Sequence, residues 1–180
     1  NSSHEGKQWI IEQTKKHVEQ YHQQIEFLDI GCGKGIYWEI INRKIHKGRW
    51  TAVEVWEPYI KQYRLYEKYD VIINEDVRTW EPGQEYTITY CGDVLEHMTR
   101  PEAEQVIQKL LPHTQTLFIS IPIIHWPQHD HTNPYQNHIK DDWTHQEMIE
   151  MLTTLTKTTT PNATITHHTT PTIGVYQIKA

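Results

Sequence analysis

Apolar residues along the chain alternate between short continuous runs and segments with helical spacing. Short apolar runs are typical of buried parallel strands, whereas apolar positions three and four residues apart predict helices. The predicted strands span residues 25–30, 50–55, 70–74, 86–90 and 116–122. The predicted helices span residues 1–24, 36–45, 57–69 and 100–111. This alternation predicts right-handed crossovers and a doubly wound α/β fold with a mainly parallel sheet.

The pattern changes after residue 122. Residues 123–143 form a long polar and aromatic segment, and loops of this length are often lids or binding loops. Thr144 and Glu147 predict a capping box that opens another helix. The Thr-rich stretch 153–160 is interpreted as a surface connection, and residues 163–170 and 173–178 as closing strands.

No repeat or linker divides the chain, so a single domain is expected. Its predicted parts are an N-terminal helix (1–24), a ligand-binding core (25–122), a substrate or lid loop (123–143) and a C-terminal helix with strands (144–180). The length of 180 residues agrees with one domain that has its own core.

Charge and cysteine content narrow the possible partners. Seventeen Lys and Arg against 23 Asp and Glu give a net charge of −6 with no polybasic cluster, which argues against a nucleic-acid partner. Two cysteines cannot form a disulfide framework, so a reducing cytoplasm is the expected location. No stretch approaches the roughly 20 apolar residues of a membrane helix, so no membrane partner is expected.

The strongest motif is Asp29-Ile30-Gly31-Cys32-Gly33-Lys34-Gly35, where a predicted strand runs into three alternate glycines. Such glycines let the backbone pass close to a ligand, and the next helix points its N-terminal amides at it. The third glycine comes too early for the Gly-x-Gly-x-x-Gly fingerprint, which disfavours a dinucleotide. The Asp29 carboxylate suits an ammonium group better than a pyrophosphate, or it only caps the turn. Glu54, near the end of the second strand, suits two ribose hydroxyls.

Together with Glu54, Asp76 and the segment Gly92-Asp93-Val94-Leu95-Glu96-His97, this motif resembles the class I S-adenosylmethionine-dependent methyltransferases. The resemblance extends over about residues 25–123. It implies a seven-stranded Rossmann-like sheet of order 3-2-1-4-5-7-6 with the last strand antiparallel. It also implies S-adenosylmethionine (SAM) as the methyl donor and S-adenosylhomocysteine (SAH) as the product.

The resemblance assigns the donor-binding residues one by one. It implies that the glycine turn, with Asp29 and Cys32, meets the methionine part of SAM and its ammonium group. It implies that Glu54 holds the ribose, and that Val55 or Trp56 lies against the adenine. The remaining residues, which it places at the adenine amino group and near the reacting methyl, are Asp76, Val77, Gly92 and Asp93.

The acceptor is less constrained. The segment from Gly92 to His97 resembles the variant common in small-molecule methyltransferases, which implies a small or medium acceptor with a reacting oxygen or nitrogen. An unreactive hydroxyl or ammonium needs a base, and His97 and His125 are the candidates, although His97 also suits a purely structural role at a helix start. The expected acceptor contacts are Tyr37, Trp126, Tyr135, His138 and Trp143.

A metal site and two other functions are weighed beside methyl transfer. The histidines of the loop 123–143 are possible metal ligands, but spacing within a loop does not force them together, and no metal is predicted. The same donor pocket is compatible with lyase-type chemistry or with a non-catalytic SAM-binding subunit. The acceptor, the oligomeric state and the pathway are open at this point.

Overall fold

A computed structural model describes residues 4–45 and 48–180. In this part of the chain, seven strands form one sheet in the order β3-β2-β1-β4-β5-β7-β6. Strands β1 to β5 pair in parallel, and β7 is antiparallel to β5 and β6. The strands are β1 (Ile25–Ile30), β2 (Gly48–Val53), β3 (Val71–Ile73), β4 (Tyr86–Gly92), β5 (Thr114–Pro122), β6 (Thr164–Thr169) and β7 (Ile173–Lys179). The predicted sheet order is confirmed.

Helices cover both faces of this sheet. They are α1 (Lys7–Val18), α2 (Ile36–Asn42), α3 (Glu57–Gln62), α4 (Arg100–Leu110) and α5 (His145–Thr159). Side chains alternate along β1, so Phe27 packs with α1 and α2 whereas Leu28 packs with α4 and α5. Among residues 4–45 and 48–180, no helix has the length and apolar character needed to cross a membrane.

Two predicted elements have different limits in the structure. The helix predicted for residues 57–69 ends at Gln62, because Arg64 adopts a left-handed φ of 51° and a short 3₁₀ turn, Leu65–Glu67, follows. The predicted N-terminal helix is α1, and residues 1–3 lie outside the described part of the chain. Strand β2 ends at Val53, so Glu54 and Val55 follow the strand instead of belonging to it.

The interpretation of the Thr-rich stretch 153–160 as a surface connection is wrong, because α5 runs through it to Thr159. The hydroxyl groups of Thr154 and Thr156 bond to the carbonyls four residues earlier, at 2.9 and 2.8 Å. These bonds satisfy the hydroxyls within the helix. Leu152 and Leu155 are buried against the sheet, so tertiary packing outweighs the modest helix propensity of threonine.

Thr144 is the N-cap of α5, as predicted, and its hydroxyl accepts a hydrogen bond from the Glu147 amide at 3.1 Å. The Glu147 carboxylate does not complete a capping box. It lies 2.9 Å from Arg100 Nη1 and 3.1 Å from Lys140 Nζ. These ion pairs connect the end of the loop 123–143 to the start of α4.

Candidate active site

The glycine turn connects β1 to α2 through three residues with positive φ, which are 59° at Gly31, 53° at Gly33 and 81° at Gly35. A Cβ atom at Gly31 would lie 2.6 Å from Val94 Cγ2, whereas one at Gly33 would meet nothing closer than 3.9 Å. Gly31 is therefore required by both conformation and space, and Gly33 by conformation alone.

Asp29 lies beneath this turn and is 1% exposed. Its Oδ2 accepts a hydrogen bond of 2.6 Å from the Tyr69 hydroxyl, while Oδ1 has no hydrogen-bond partner among the described residues. Burial raises the pKa of Asp29 to about 7, although the Tyr69 hydrogen bond opposes the shift. The carboxyl group is thus held behind the glycine turn, and one of its oxygens has no hydrogen-bond partner among the described residues.

Glu54 is fixed immediately after β2. Its two carboxylate oxygens accept hydrogen bonds from the Gly33 amide at 2.9 Å and the Trp56 amide at 2.8 Å. Burial raises the pKa of Glu54, and the two amide donors partly oppose this. The Asn74 side chain, which the sequence did not indicate, donates to the carbonyls of Glu54 and Val55 at 2.7 and 3.2 Å. These contacts hold the residue at the sheet edge.

A first cavity, here named the Glu54 cavity, opens at this edge. Asp76 also lines it, and its carboxylate is paired with the Arg78 guanidinium at 2.6 Å. Burial alone raises the pKa of Asp76, but the hydrogen bonds and charge of Arg78 outweigh it and leave the pKa lowered. Tyr135 of the loop closes the cavity, and its ring centre lies 6.1 Å from that of Trp56. The other predicted residues in its lining are Gly31, Val55, Val77, Asp93 and His97.

A second cavity, the Glu96 cavity, adjoins the first. Gly31, Asp93 and His97, together with Gln136 of the loop, line both cavities, so the two cavities meet where β1 and β4 end and the loop passes over them. The predicted residues in its lining, besides Gly31, Asp93 and His97, are Cys32, Gly33, Tyr37, Gly92, Trp126 and His138. Sequence reasoning missed Glu96, Tyr59, Tyr63, Gln128 and Gln136 in the same wall.

Asp93, at the junction of the cavities, has a strained backbone with a φ of 56°. Its amide donates to the Ser120 carbonyl at 2.8 Å, which holds this conformation against β5. Its Oδ2 lies 3.6 Å from Nζ of Lys7, a residue of α1 that the sequence did not indicate. Backbone strain of this kind concentrates at functional sites, and here it turns the carboxylate toward both cavities.

Tyr37 forms a rigid wall of the Glu96 cavity. It is 5% exposed and stacks on Tyr90 with ring centres 5.0 Å apart and planes 9° from parallel. A Cβ atom at Gly92 would lie 2.2 Å from the Tyr37 hydroxyl oxygen. Gly92 is therefore needed for Tyr37 to pack across the end of β4. Burial raises the pKa of the Tyr37 hydroxyl, which stays neutral.

The loop 123–143 folds back over the end of β4. The Glu96 carbonyl accepts hydrogen bonds from the amides of Ile139 at 2.8 Å and Lys140 at 3.2 Å. His97 Nδ1 lies 3.1 Å from the Asn137 carbonyl. Burial lowers the pKa of His97 to about 4, so its imidazole is neutral near pH 7. The loop thus brings its residues 135–138 beside His97.

A family profile described as a methyltransferase domain matches residues 27–116. This match covers half of the 180 residues and includes the glycine turn, Glu54, Asp76 and His97. The chain belongs to the class I SAM-dependent methyltransferases.

Solved methyltransferase structures share the fold at low sequence identity. The small RNA methyltransferase HEN1 superposes with a TM-score of 0.71 at 14% identity, covering 96% of this chain but only 25% of the HEN1 chain. The plantazolicin methyltransferase BpumL in complex with SAH gives 0.71 at 14% identity, covering 94% and 81% of the two chains. The N-terminal domain of EvdMO1 with SAH bound gives 0.67 at 11% identity, covering 99% and 82%. A comparison with curated protein sequences finds no match.

Several predicted residues of this methyltransferase lie outside both cavities. His125, one of the two predicted bases, has a 70% exposed side chain that lies 3.5 Å from Asp141 and lines neither cavity. Trp143 is 1% exposed in the core, which removes its predicted contact with an acceptor. Asp29, Gly35 and Trp56, which were predicted to contact SAM, line neither cavity.

Proposed function

We propose that this methyltransferase binds SAM across the two cavities and transfers its methyl group to an oxygen or nitrogen of a small or medium acceptor. The adenosine part lies in the Glu54 cavity, and the acceptor enters the Glu96 cavity. The observation that carries the proposal is that the cavities meet at Gly31, Asp93 and His97. This meeting point lies at the carboxyl ends of neighbouring parallel strands, where doubly wound sheets bind ligands.

The residues at this junction fit a cationic donor. Asp93 lies at this junction, and its buried Oδ2 has no hydrogen-bond partner within residues 4–45 and 48–180, although Lys7 Nζ lies 3.6 Å away. Asp29 lies outside both cavities, and its buried Oδ1 also has no hydrogen-bond partner among these residues. Unfilled carboxylate oxygens are costly to bury, and the ammonium and sulfonium groups of SAM are complementary to them. Bound SAM supplies a methyl group on a positively charged sulfur, so the protein's main task is to align the donor with the acceptor.

The Glu54 cavity has the groups that an adenosine requires. The Glu54 carboxylate accepts hydrogen bonds from two backbone amides, and its remaining lone pairs are available to the ribose hydroxyls. The Asp76 carboxylate accepts hydrogen bonds from the amide and the guanidinium of Arg78 on both of its oxygens, so a contact with the adenine amino group requires it to exchange one of these bonds. Val77 and Tyr135 offer apolar surface for the flat base. These properties support the assignment of the adenosine to this cavity.

The Glu96 cavity supports an uncharged or weakly charged acceptor. Its aromatic walls, Tyr37, Tyr59 and Trp126, suit a flat or apolar body, while Gln128 and Gln136 offer hydrogen bonds. His97 is neutral and can accept a hydrogen bond from a hydroxyl or amine, which positions the attacking lone pair. The half-buried Asp93, the buried Glu96 and the net charge of −6 disfavour a phosphate backbone.

Calorimetric titration with SAM, SAH and NAD tests the donor site. We expect micromolar binding of SAM and SAH and no binding of NAD.

Incubation with SAM and a panel of hydroxyl and amine acceptors, followed by mass spectrometry, tests the reaction. Formation of SAH together with a methylated acceptor supports methyl transfer. Methylthioadenosine would instead indicate lyase chemistry, and a protein that binds neither adenosyl compound would contradict the proposal.

A further inference from the structure

We propose that Glu96, His97 and His138 form a binding site for a divalent transition-metal ion. One donor atom from each of these side chains lies within 4.8 Å of the other two. Glu96 and His97 belong to the 3₁₀ turn Leu95–His97 after β4, and His138 belongs to the loop 123–143. This inference goes beyond the proposed function and does not depend on donor binding. When the ion is bound, the His97 lone pair ligates it and no longer accepts a hydrogen bond from the acceptor.

Backbone carbonyls orient both histidines for metal binding. His97 Nδ1 lies 3.1 Å from the Asn137 carbonyl, and His138 Nδ1 is hydrogen-bonded to the Trp126 carbonyl. A carbonyl oxygen only accepts, so we assign the ring proton to Nδ1 and the lone pair to Nε2 in both residues. Donation of one ring N–H to a backbone carbonyl is the usual arrangement of a histidine that ligates a metal through its other nitrogen.

Glu96 provides a second, independent observation. It is 2% exposed, lines the cavity, and its Oε2 has no hydrogen-bond partner in the described part of the chain. Burial, and then the nearby charge of Asp93, raise the pKa of Glu96. A buried carboxyl oxygen without a partner is destabilising, whereas a divalent cation would satisfy it and offset the repulsion from Asp93.

The loop is built to hold this arrangement. The Glu96 carbonyl binds the amides of Ile139 and Lys140, which directly follow His138. The third ligand is therefore fixed beside the other two by backbone bonds, in spite of its separation in sequence. By contrast, His129 and His131 of the same loop have ring centres 4.6 Å apart but are exposed, and within the described residues they belong to no group of three converging metal ligands.

The donor set indicates the class of ion. Two imidazoles and one carboxylate suit Zn²⁺, Co²⁺, Mn²⁺ or Fe²⁺ better than Mg²⁺ or Ca²⁺. Typical ligand distances of about 2.0–2.2 Å require the donor atoms, now within 4.8 Å of one another, to approach by roughly an ångström. Three protein ligands leave at least one coordination position, which opens into the Glu96 cavity where the acceptor is proposed to bind.

Metal titration of the full chain tests this site in the absence of SAM. After treatment with EDTA and its removal, Co²⁺ is added and followed by visible absorption, and Zn²⁺ is added in a calorimeter. We expect one saturable equivalent of each ion. His138→Ala and Glu96→Gln are each expected to lower the affinity by roughly 100-fold, with loss of the Co²⁺ absorption bands.

A matched control separates this site from the other loop histidines. The double variant with His129→Ala and His131→Ala is expected to retain the wild-type affinity. Wild-type affinity in His138→Ala, loss of affinity in the double variant, or no saturable binding by the wild-type protein would each overturn the proposal. Thermal melts of the metal-free variants verify that they fold. If Glu96→Gln does not fold, the metal affinity of the loop variant His138→Ala still tests the site.

Discussion

The two cavities of this methyltransferase are built in different ways. The Glu54 cavity is formed mainly by residues that directly follow parallel strands, such as Gly31 after β1 and Glu54 after β2, and the loop 123–143 adds Asn133, Tyr135 and Gln136 to its lining. The Glu96 cavity takes one wall from the loop 123–143, which is connected to the sheet through the Glu96 carbonyl. The strand-end side of the Glu54 cavity is therefore specified by short local segments, whereas the loop side of both cavities depends on contacts between residues about 40 positions apart.

This difference separates the donor site from the acceptor site. The sheet holds the strand ends and the glycine turn in fixed positions, and a rigid site of this kind suits the recognition of a single methyl donor. A loop that runs over a rigid scaffold is free to differ in sequence without disturbing the sheet. We therefore expect substitutions in the glycine turn to affect folding and donor binding. Loop substitutions are expected to affect the acceptor side, except at loop residues such as Tyr135 that line the Glu54 cavity.

The largest effect is expected from two matched substitutions in the glycine turn. Gly33→Ala is expected to cost about 1–2 kcal/mol of unfolding free energy, because alanine must adopt a positive φ. Gly31→Ala adds the overlap with Val94 Cγ2 and is expected to cost about 2–5 kcal/mol. Urea denaturation of the two variants measures the difference. Equal losses would show that Val94 moves away freely.

Glu54→Ala is expected to weaken SAM binding by about 10- to 100-fold, since hydrogen bonds to a charged group contribute about 1.5–3 kcal/mol. Calorimetric titration measures the affinity. Glu57→Ala, a change at an exposed carboxylate on α3, is the control and is expected to bind SAM as the wild type does. If Glu54→Ala binds SAM normally while Glu57→Ala does also, the ribose assignment is wrong.

The pH dependence of stability is expected to reveal Asp29. Its folded-state pKa of about 7 lies above its ordinary value of 3.8, so the native state holds a proton that the unfolded state has lost between these values. This carboxyl group therefore lowers stability as pH rises from about 4 to 7, by at most about 1.4 kcal/mol per pH unit. The difference between wild type and Asp29→Asn in urea denaturation at several pH values isolates this contribution. A constant difference across that range would contradict the raised pKa.

The smallest expected effect compares two loop aromatics that are equally exposed, at 39% each. Tyr135 lines the Glu54 cavity, and Trp126 lines the Glu96 cavity. Tyr135→Ala is expected to weaken SAM binding several-fold, in line with the roughly 0.5–1.5 kcal/mol of an aromatic contact. Trp126→Ala is expected to leave SAM affinity unchanged. Similar losses in both variants, measured by calorimetry, would show that the donor extends into both cavities.

The acceptor side shows where sequence reasoning fails. The loop histidines and aromatics were equivalent in the sequence, because an irregular segment has no period that places side chains on a common face. The structure turns His125 to solvent and Trp143 into the core, while His138 faces His97 with ring centres 5.0 Å apart. The backbone bonds of residues 137–140 to the turn after β4 make this selection.

The sequence by itself determined the succession of strands and helices along the chain, the glycine turn and the position of Glu54 near a strand end, whereas the order of the strands within the sheet was implied by the family resemblance. These features are local, because apolar periodicity and glycine spacing act within a few residues of one another. Only the tertiary structure decided that Asp29 is buried behind the turn, that Lys7 reaches Asp93, and that Glu96 meets His138. Those contacts join segments far apart in the chain, and their geometry depends on how α1 and the loop pack across the ends of the sheet.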